Sequence, residues 1–190
     1  MRFLLALLSA CALFSCCSRG AHVGVERVDL SLFQTFDRVQ QGVVNPNHML
    51  TAEETRNKSF YLIHFDVPSL CSMCLLKQYY LWDELIAQLG EEEVEYLFLL
   101  EPRKEYTCES LAEALNEGYF SRPVFLDWTG VFTVRNRLST HMGSADILTD
   151  QNGVVLFVGD LRNDVRDYSR ILRKIRRTSF NHPAIISNRY

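Results

Sequence analysis

The sequence predicts an α/β domain in which strands and helices alternate along the chain. Short apolar runs bounded by turn residues alternate with segments whose apolar residues recur at helical spacing. The chain has 190 residues, 47% of them hydrophobic, which is enough for one globular domain with a sizeable core. The formal net charge of -3 and the pI of about 6.0 indicate no general attraction to nucleic acid.

The first residues are predicted to be a secretory signal that is not part of this domain. Arg2 supplies a positive charge, and the apolar stretch 3–14 is too short to span a bilayer. A buried N-terminal helix is the alternative. Leu13-Phe14-Ser15-Cys16 resembles the lipobox of Gram-negative lipoproteins, which makes Cys16 the expected lipidated residue. Ordinary signal cleavage remains open, and Cys11 fits the lipobox letters but leaves a shorter apolar region.

Together with this leader, the sequence predicts four parts of the chain. Residues 1–15 form the signal peptide, 16–58 a tether and N-terminal extension, 59–178 the folded domain, and 179–190 a C-terminal tail. Within the extension, the apolar residues of 23–44 suggest a strand or short helix at the domain edge. A lipidated Cys16 would anchor the protein to a membrane of the cell envelope, facing the periplasm.

The sequence pattern of the first half of the domain predicts two strands and two helices. Residues 60–65 are an apolar, aromatic run that predicts a buried strand, in which His64 is expected to be a core histidine. Residues 75–89 have apolar positions at helical spacing and stop before Gly90. A second apolar run at 94–100 predicts the next strand, and 107–115 the next helix.

The second half predicts three more strands and two helices. Residues 123–127 and 145–149 read as strands, with a short helix at 131–138 between them. The turn Asp150-Gln151-Asn152-Gly153 connects the latter strand to a hairpin partner at 154–159. An amphipathic helix at 164–177 completes the domain.

The motif Cys71-Ser72-Met73-Cys74 lies where the first strand ends and the first helix begins. A helix N-terminus favours thiolate over thiol, and Cys74 is about one turn after Cys71, close enough for a disulfide. This arrangement indicates a reversible redox pair; the alternative is a permanently closed disulfide that stiffens the loop. Cys108 is expected to open the helix 107–115 as a half-buried apolar residue, with a redox role as the alternative.

The order of elements around this motif resembles the thioredoxin-like fold, especially the membrane-tethered periplasmic redoxins of the TlpA-like kind. Leu148-Thr149-Asp150-Gln151-Asn152-Gly153-Val154-Val155 is similar to the family's hairpin, and Pro123-Val124-Phe125-Leu126-Asp127 is similar to the strand that precedes a helix in the family. The resemblance implies a three-layer α/β/α sandwich around a mixed sheet of four to five strands. The chain departs from the family at 141–145, where no cis-proline candidate is present, and at Leu70, which replaces an aromatic residue.

The resemblance also implies an activity, thiol-disulfide exchange with protein substrates, and roles for the site residues. Cys71, with a pKa below the ordinary thiol value, would attack, and Cys74, more buried, would resolve the mixed disulfide. The redox-active disulfide is then the only cofactor. Because Ser72 and Met73 carry no positive charge, a reducing or isomerising direction is favoured. Asp66 is a candidate for proton traffic, with a loop-capping carboxylate as the alternative.

The expected partners are protein thiols and disulfides, and a membrane electron donor or thioredoxin partner. Met142, Gly143 and Ser144 form the possible substrate-docking loop. Two other functions remain open. Cys71, Cys74 and His141, with Met73 and Met142 nearby, could bind Cu(I) as a chaperone, and a redoxin-shaped adaptor would need no turnover. No metal is expected in the oxidoreductase interpretation.

Overall fold

The computed structural model describes residues 25–41, 43–44, 58–67, 71–138 and 143–162, together with residues 170, 171, 173, 175 and 177. Within these residues, no helix has both the length and the apolar character needed to cross a bilayer. The predicted signal peptide, the predicted lipidation site Cys16 and the predicted C-terminal tail lie outside the described residues.

The centre of the structure is one mixed sheet of seven strands in the order β2-β1-β5-β4-β3-β6-β7. The strands are β1 Asp37–Gln40, β2 Val43–Val44, β3 Phe60–Asp66, β4 Val94–Leu100, β5 Val124–Leu126, β6 Ser144–Asp150 and β7 Val155–Gly159. Strands β3, β4 and β5 run parallel, whereas β6 pairs antiparallel with β3 and β7 antiparallel with β6. Strand β3 therefore has a partner on both edges, and all of its residues are buried.

Helices cover both faces of this sheet. They are α1 Ser72–Leu76, α2 Leu81–Leu89, α3 Cys108–Glu117 and α4 Val131–Arg135, and a 3-10 helix spans Leu30–Gln34. Side chains alternate along β3, so that Phe60 and Leu62 pack with α1, α2 and α3, whereas Ile63 and Phe65 pack with the 3-10 helix and α4. These two separate cores make the predicted three-layer α/β/α sandwich.

The sheet is larger than the predicted four to five strands because the N-terminal extension joins it. Strand β1 pairs antiparallel with β5, with Asp37 opposite Leu126, and β2 adds to the outer edge of β1. On the other side of the domain, Arg27 forms an isolated bridge with Val154. The strand or short helix expected at the domain edge is thus present, as both a 3-10 helix and a hairpin.

The predicted single helix 75–89 is in fact two helices, α1 and α2, joined by a tight turn. The turn is held by hydrogen bonds between residues three apart, such as Tyr79 N–H to the Leu76 carbonyl and Trp82 N–H to the Tyr79 carbonyl. The tighter winding turns both Tyr79 and Trp82 fully into the core, and the Tyr79 hydroxyl reaches Asp66. The other short helix was also predicted too long, because α4 ends at Arg135 and not at Leu138.

The remaining elements agree with the predictions to within a few residues. Strand β4 has the predicted bounds, and β3, β5, β6 and β7 differ from theirs by one or two residues. Helix α3 begins at Cys108, after a capping box in which Thr107 and Ser110 exchange hydrogen bonds between side chain and backbone. In the predicted final helix, residues 170, 171, 173, 175 and 177 are helical, and Ile171 is fully buried.

Candidate redox site

The cysteine pair lies at the start of α1, as the sequence predicts. Cys71 is the N-cap residue of this helix, and its sulfur is joined to that of Cys74 in a disulfide whose Cα atoms are 5.2 Å apart. The backbone N–H of Cys74 donates a hydrogen bond to Cys71 Sγ over 3.3 Å. A sulfur in this position receives one of the N–H groups that a helix leaves without a backbone partner, which favours its anionic form.

The exposure of the two cysteines differs from the expectation that Cys74 is the more buried. Cys74 is exposed, whereas Cys71 is only partly exposed. Helix geometry explains the difference, because the inward positions of this short helix are occupied by Ser72, Leu75 and Leu76. Cys74 therefore lies on the outer side of α1.

A tyrosine that no sequence pattern indicates also lies beside the disulfide. The Tyr106 hydroxyl oxygen lies 3.9 Å from Cys71 Sγ. Tyr106 belongs to the loop between β4 and α3 and is partly buried against the core on that face of the sheet. No spacing rule connects it to the cysteines, so only the packing of the loop places it there.

Below the surface, β3 and β6 bring three charged side chains together in the sheet. His64 Nδ1 lies 2.6 Å from Asp146 Oδ1, and His64 Nε2 lies 3.1 Å from Asp66 Oδ2. All three residues are at most 2% exposed. Because each ring nitrogen faces a carboxylate oxygen, the imidazolium form, which donates from both nitrogens, fits this arrangement best.

The pKa values of this cluster follow from its geometry. Burial alone would lower the pKa of His64, but the charges and hydrogen bonds of Asp66 and Asp146 raise it to about 9. Burial alone would raise the pKa of Asp66, yet His64, the Tyr79 hydroxyl and Arg162 hold it below its ordinary value. Burial, followed by the charge of Asp66, raises the pKa of Tyr79 well above its ordinary value.

These observations correct the interpretation of Asp66 and refine that of His64. Asp66 is not a loop-capping carboxylate, since it is the last residue of β3 and is fully buried. His64 is a core histidine, as predicted, but it is an ionised one. Asp146 was not singled out, although a signal existed: it is a charged residue inside an apolar strand, and β6 pairs it directly with His64.

The described part of the possible docking loop lies beside the end of β3. Ser144 is opposite Asp66 in the sheet, and the Val67 N–H donates to the Gly143 carbonyl over 3.3 Å. Strand β4 ends beside Asp66, and Tyr106 in the loop that follows β4 lies at Cys71 Sγ, so the docking loop is on the same end of the sheet as the disulfide. Met142 and His141 lie outside the described residues, and their predicted roles stay predictions.

Cys108 has the predicted position as the half-buried first residue of α3. Burial, followed by the charges of Asp37 and Glu109, raises the pKa of its thiol. A raised pKa disfavours the thiolate that disulfide exchange requires. Cys108 therefore fits the apolar role better than the redox role.

Comparison of the sequence with protein-family models and with curated proteins gives no match. Solved structures do resemble this one. A thioredoxin-like protein in its oxidized form superposes with a TM-score of 0.55 at 16% identity, over 80% of this chain and 98% of the other. The fold is thioredoxin-like.

Two further solved structures are also similar to this one. A mutant of PrxQ from Xylella fastidiosa gives a TM-score of 0.53 at 11% identity, covering 84% of this chain and 99% of its own. The bacterioferritin comigratory protein of Xanthomonas campestris gives 0.52 at 11% identity, covering 82% and 98%. The predicted thioredoxin-like sandwich is thus confirmed, with a sheet that is larger than predicted.

Proposed function

We propose that this protein is a thiol-disulfide oxidoreductase that exchanges disulfides with protein substrates through Cys71 and Cys74. The observation that carries the proposal is a pair of cysteines at disulfide distance at a helix start, with a backbone N–H directed at Cys71 Sγ. A purely structural disulfide explains the pair less well, because a disulfide between residues three apart closes a short loop and stabilises the folded state little. A partly exposed sulfur that is stabilised as a thiolate is what exchange chemistry needs.

The proposed reaction runs in two exchange steps. The Cys71 thiolate attacks one sulfur of a substrate disulfide, forms a mixed disulfide, and releases the other substrate sulfur as a thiolate, which takes up a proton. Cys74, after losing its proton, then attacks Cys71 Sγ, closes the Cys71–Cys74 disulfide, and releases the second substrate thiolate. The substrate gains two electrons and the cysteine pair loses them, and an external dithiol restores the pair.

The direction and the location are part of the same proposal. We favour reduction of substrates, because Ser72 and Met73 add no positive charge beside the pair. The apolar leader and Cys16 support a lipid-anchored protein of the cell envelope that faces the periplasm. Its electron source would then be a membrane donor or a thioredoxin partner.

Trapping of the mixed disulfide tests the proposal. The full-length Cys74→Ser variant, once reduced, is expected to accumulate a mixed disulfide with oxidised insulin, which mass spectrometry should locate at Cys71. Cys108→Ser is the matched control and should retain insulin reduction, whereas Cys71→Ser should abolish it. Absence of a covalent adduct in both Cys74→Ser and Cys71→Ser would overturn the proposal.

The exposure of Cys74 gives this experiment a second use. If the adduct forms in Cys71→Ser and not in Cys74→Ser, the exposed Cys74 is the attacking sulfur and the proposed roles are wrong.

The two other functions that the sequence left open also give distinct results. A Cu(I) chaperone would take up stoichiometric Cu(I) and lose it in His141→Ala, and an adaptor would show neither exchange nor copper binding.

A further inference from the structure

The Tyr106 hydroxyl faces the sulfur of Cys71, and its chemistry there depends on the state of that sulfur. In the disulfide, Cys71 Sγ carries no hydrogen, so the tyrosine O–H is the donor across the 3.9 Å between the two atoms. A neutral sulfur is a weak acceptor, and this hydrogen bond is correspondingly long. When the disulfide is reduced and Cys71 ionises, the acceptor becomes an anion, and hydrogen bonds to anions are shorter and about twice as strong.

We propose that Tyr106 is the side-chain hydrogen-bond donor that stabilises the Cys71 thiolate, acting together with the Cys74 backbone N–H. This inference rests on the proposed function, because it assigns Cys71 as the reacting sulfur. The two donors reach Cys71 Sγ from different elements, one from α1 and the other from the loop before α3. Neither of these two donors is a cationic side chain.

The loop that carries Tyr106 is held at several points. At its start, the Glu101 N–H donates to the Asp66 carbonyl over 2.9 Å, which attaches the loop to the end of β3. The Tyr106 N–H donates to the Arg103 carbonyl over 3.2 Å, and the next residue is the N-cap of α3. The tyrosine ring packs against the core while its hydroxyl remains at the disulfide. The donor is therefore in position before the thiolate forms.

This arrangement has a measurable consequence for the redox equilibrium. A donor that binds the thiolate more strongly than the disulfide stabilises the reduced form of the pair. Its loss should favour the oxidised form about tenfold, which corresponds to a reduction potential about 30 mV lower. The same loss should move the ionisation of Cys71 to higher pH by about one unit.

The test compares Tyr106→Phe with Tyr119→Phe in the full-length chain. Phenylalanine keeps the packed ring and removes only the hydroxyl, and Tyr119, which is 81% exposed, is the matched control. The rate of Cys71 alkylation by iodoacetamide is measured between pH 5 and pH 10 in the Cys74→Ser background, with the modified peptide quantified by mass spectrometry. The reduction potential is measured with both cysteines present, in glutathione or dithiothreitol buffers.

We expect the alkylation midpoint of Tyr106→Phe to rise by about one pH unit and its potential to fall by about 30 mV, while Tyr119→Phe matches the wild type. Equal midpoints and potentials in Tyr106→Phe and the wild type would overturn this inference and leave the proposed function standing. A shift of the same size in Tyr119→Phe would also overturn it. If Cys71 and Cys74 do not respond to dithiol buffers in any variant, it is the proposed function that fails.

Discussion

The buried His64 cluster gives the protein a pH dependence that one substitution should remove. His64 is fixed between Asp66 and Asp146, with Tyr79 and Arg162 as the other titratable or charged groups in contact with Asp66. The replacement His64→Gln keeps a polar side chain but removes the positive charge. It leaves two buried carboxylates without their main counter-ion, which should cost roughly 3–5 kcal/mol of stability near pH 6.

The magnitude of the pH effect follows from the pKa of His64. A change from 6.5 in the unfolded chain to about 9 in the folded protein corresponds to roughly 3 kcal/mol. Because the folded-state pKa is raised, this stabilisation is complete below pH 6.5 and is lost as the pH rises towards about 9. The pKa of Asp66 is lowered instead, so its contribution is present above about pH 4 and is lost as the solution becomes more acidic.

Urea unfolding at fixed pH values between 5.5 and 9.5, with the disulfide kept oxidised, measures this dependence. We expect the unfolding free energy of the wild type to fall by roughly 3 kcal/mol over this range and that of His64→Gln to fall by much less. Cys108→Ser is a useful control, since the Cys108 thiol, whose pKa is raised, is another group that could contribute near pH 9. It should keep most of the wild-type slope. A wild-type stability that is flat or rises from pH 6.5 to 9 would refute the reasoning.

Two further predictions concern the backbone around the sheet. Thr107→Ala should destabilise the protein by about 1 kcal/mol in urea unfolding, because Thr107 Oγ1 accepts the Ser110 N–H at the start of α3 over 3.3 Å; an unchanged midpoint would contradict the capping role. Gly153→Ala should lower the melting temperature more than Gly90→Ala does. Both glycines have φ between +80° and +89°, but a Cβ at residue 153 would lie 2.2 Å from the Val28 carbonyl oxygen, whereas one at residue 90 would meet no atom within 4 Å. Equal losses would show that the contact with Val28 relaxes without cost.

Much of this fold could be predicted from the sequence because the central strands are buried on both faces. Strand β4 reads as an apolar run that only Glu95 interrupts, between a solvated turn and a loop, and its predicted bounds are those of the structure. The hairpin of β6 and β7 is marked by its turn, in which Asp150 accepts hydrogen bonds from the N–H groups of Asn152 and Val154. The cysteine pair was likewise predictable, since a strand before it and a helix after it fix its place.

The parts that were not predicted depend on contacts between distant segments. Strand β1 is a four-residue strand of mixed polarity, and only its pairing with β5 and β2 defines it as a strand. The break between α1 and α2 brings the Tyr79 hydroxyl to Asp66, a contact that no periodicity encodes. The exposure of Cys74 depends on which side of α1 faces the core. In each case the local pattern allows more than one outcome, and tertiary packing decides.

The geometry also argues against Asp66 as a carrier of protons for the cysteines. Its pKa lies below the ordinary value, so at neutral pH it has no proton to donate and is a weak acceptor for a thiol proton. The cluster is close to charge balance, since the cations His64 and Arg162 accompany the anions Asp66 and Asp146. The asparagine variant of Asp66 would leave one positive charge in excess at the end of β3.

This excess charge gives Asp66→Asn and Tyr106→Phe opposite effects on the same measurement. A nearby positive charge favours a thiolate, so Asp66→Asn should move the alkylation midpoint of Cys71 to lower pH or leave it unchanged. Tyr106→Phe removes a donor to the thiolate and should move the midpoint to higher pH. Asp66→Asn should destabilise the protein more than Tyr106→Phe does, because Asp66→Asn breaks a buried ion pair whereas Tyr106→Phe keeps its packed ring. A midpoint at higher pH in Asp66→Asn would mean that Asp66 accepts the thiol proton after all, and the assignment of sulfur activation to the helix start and Tyr106 would then be wrong.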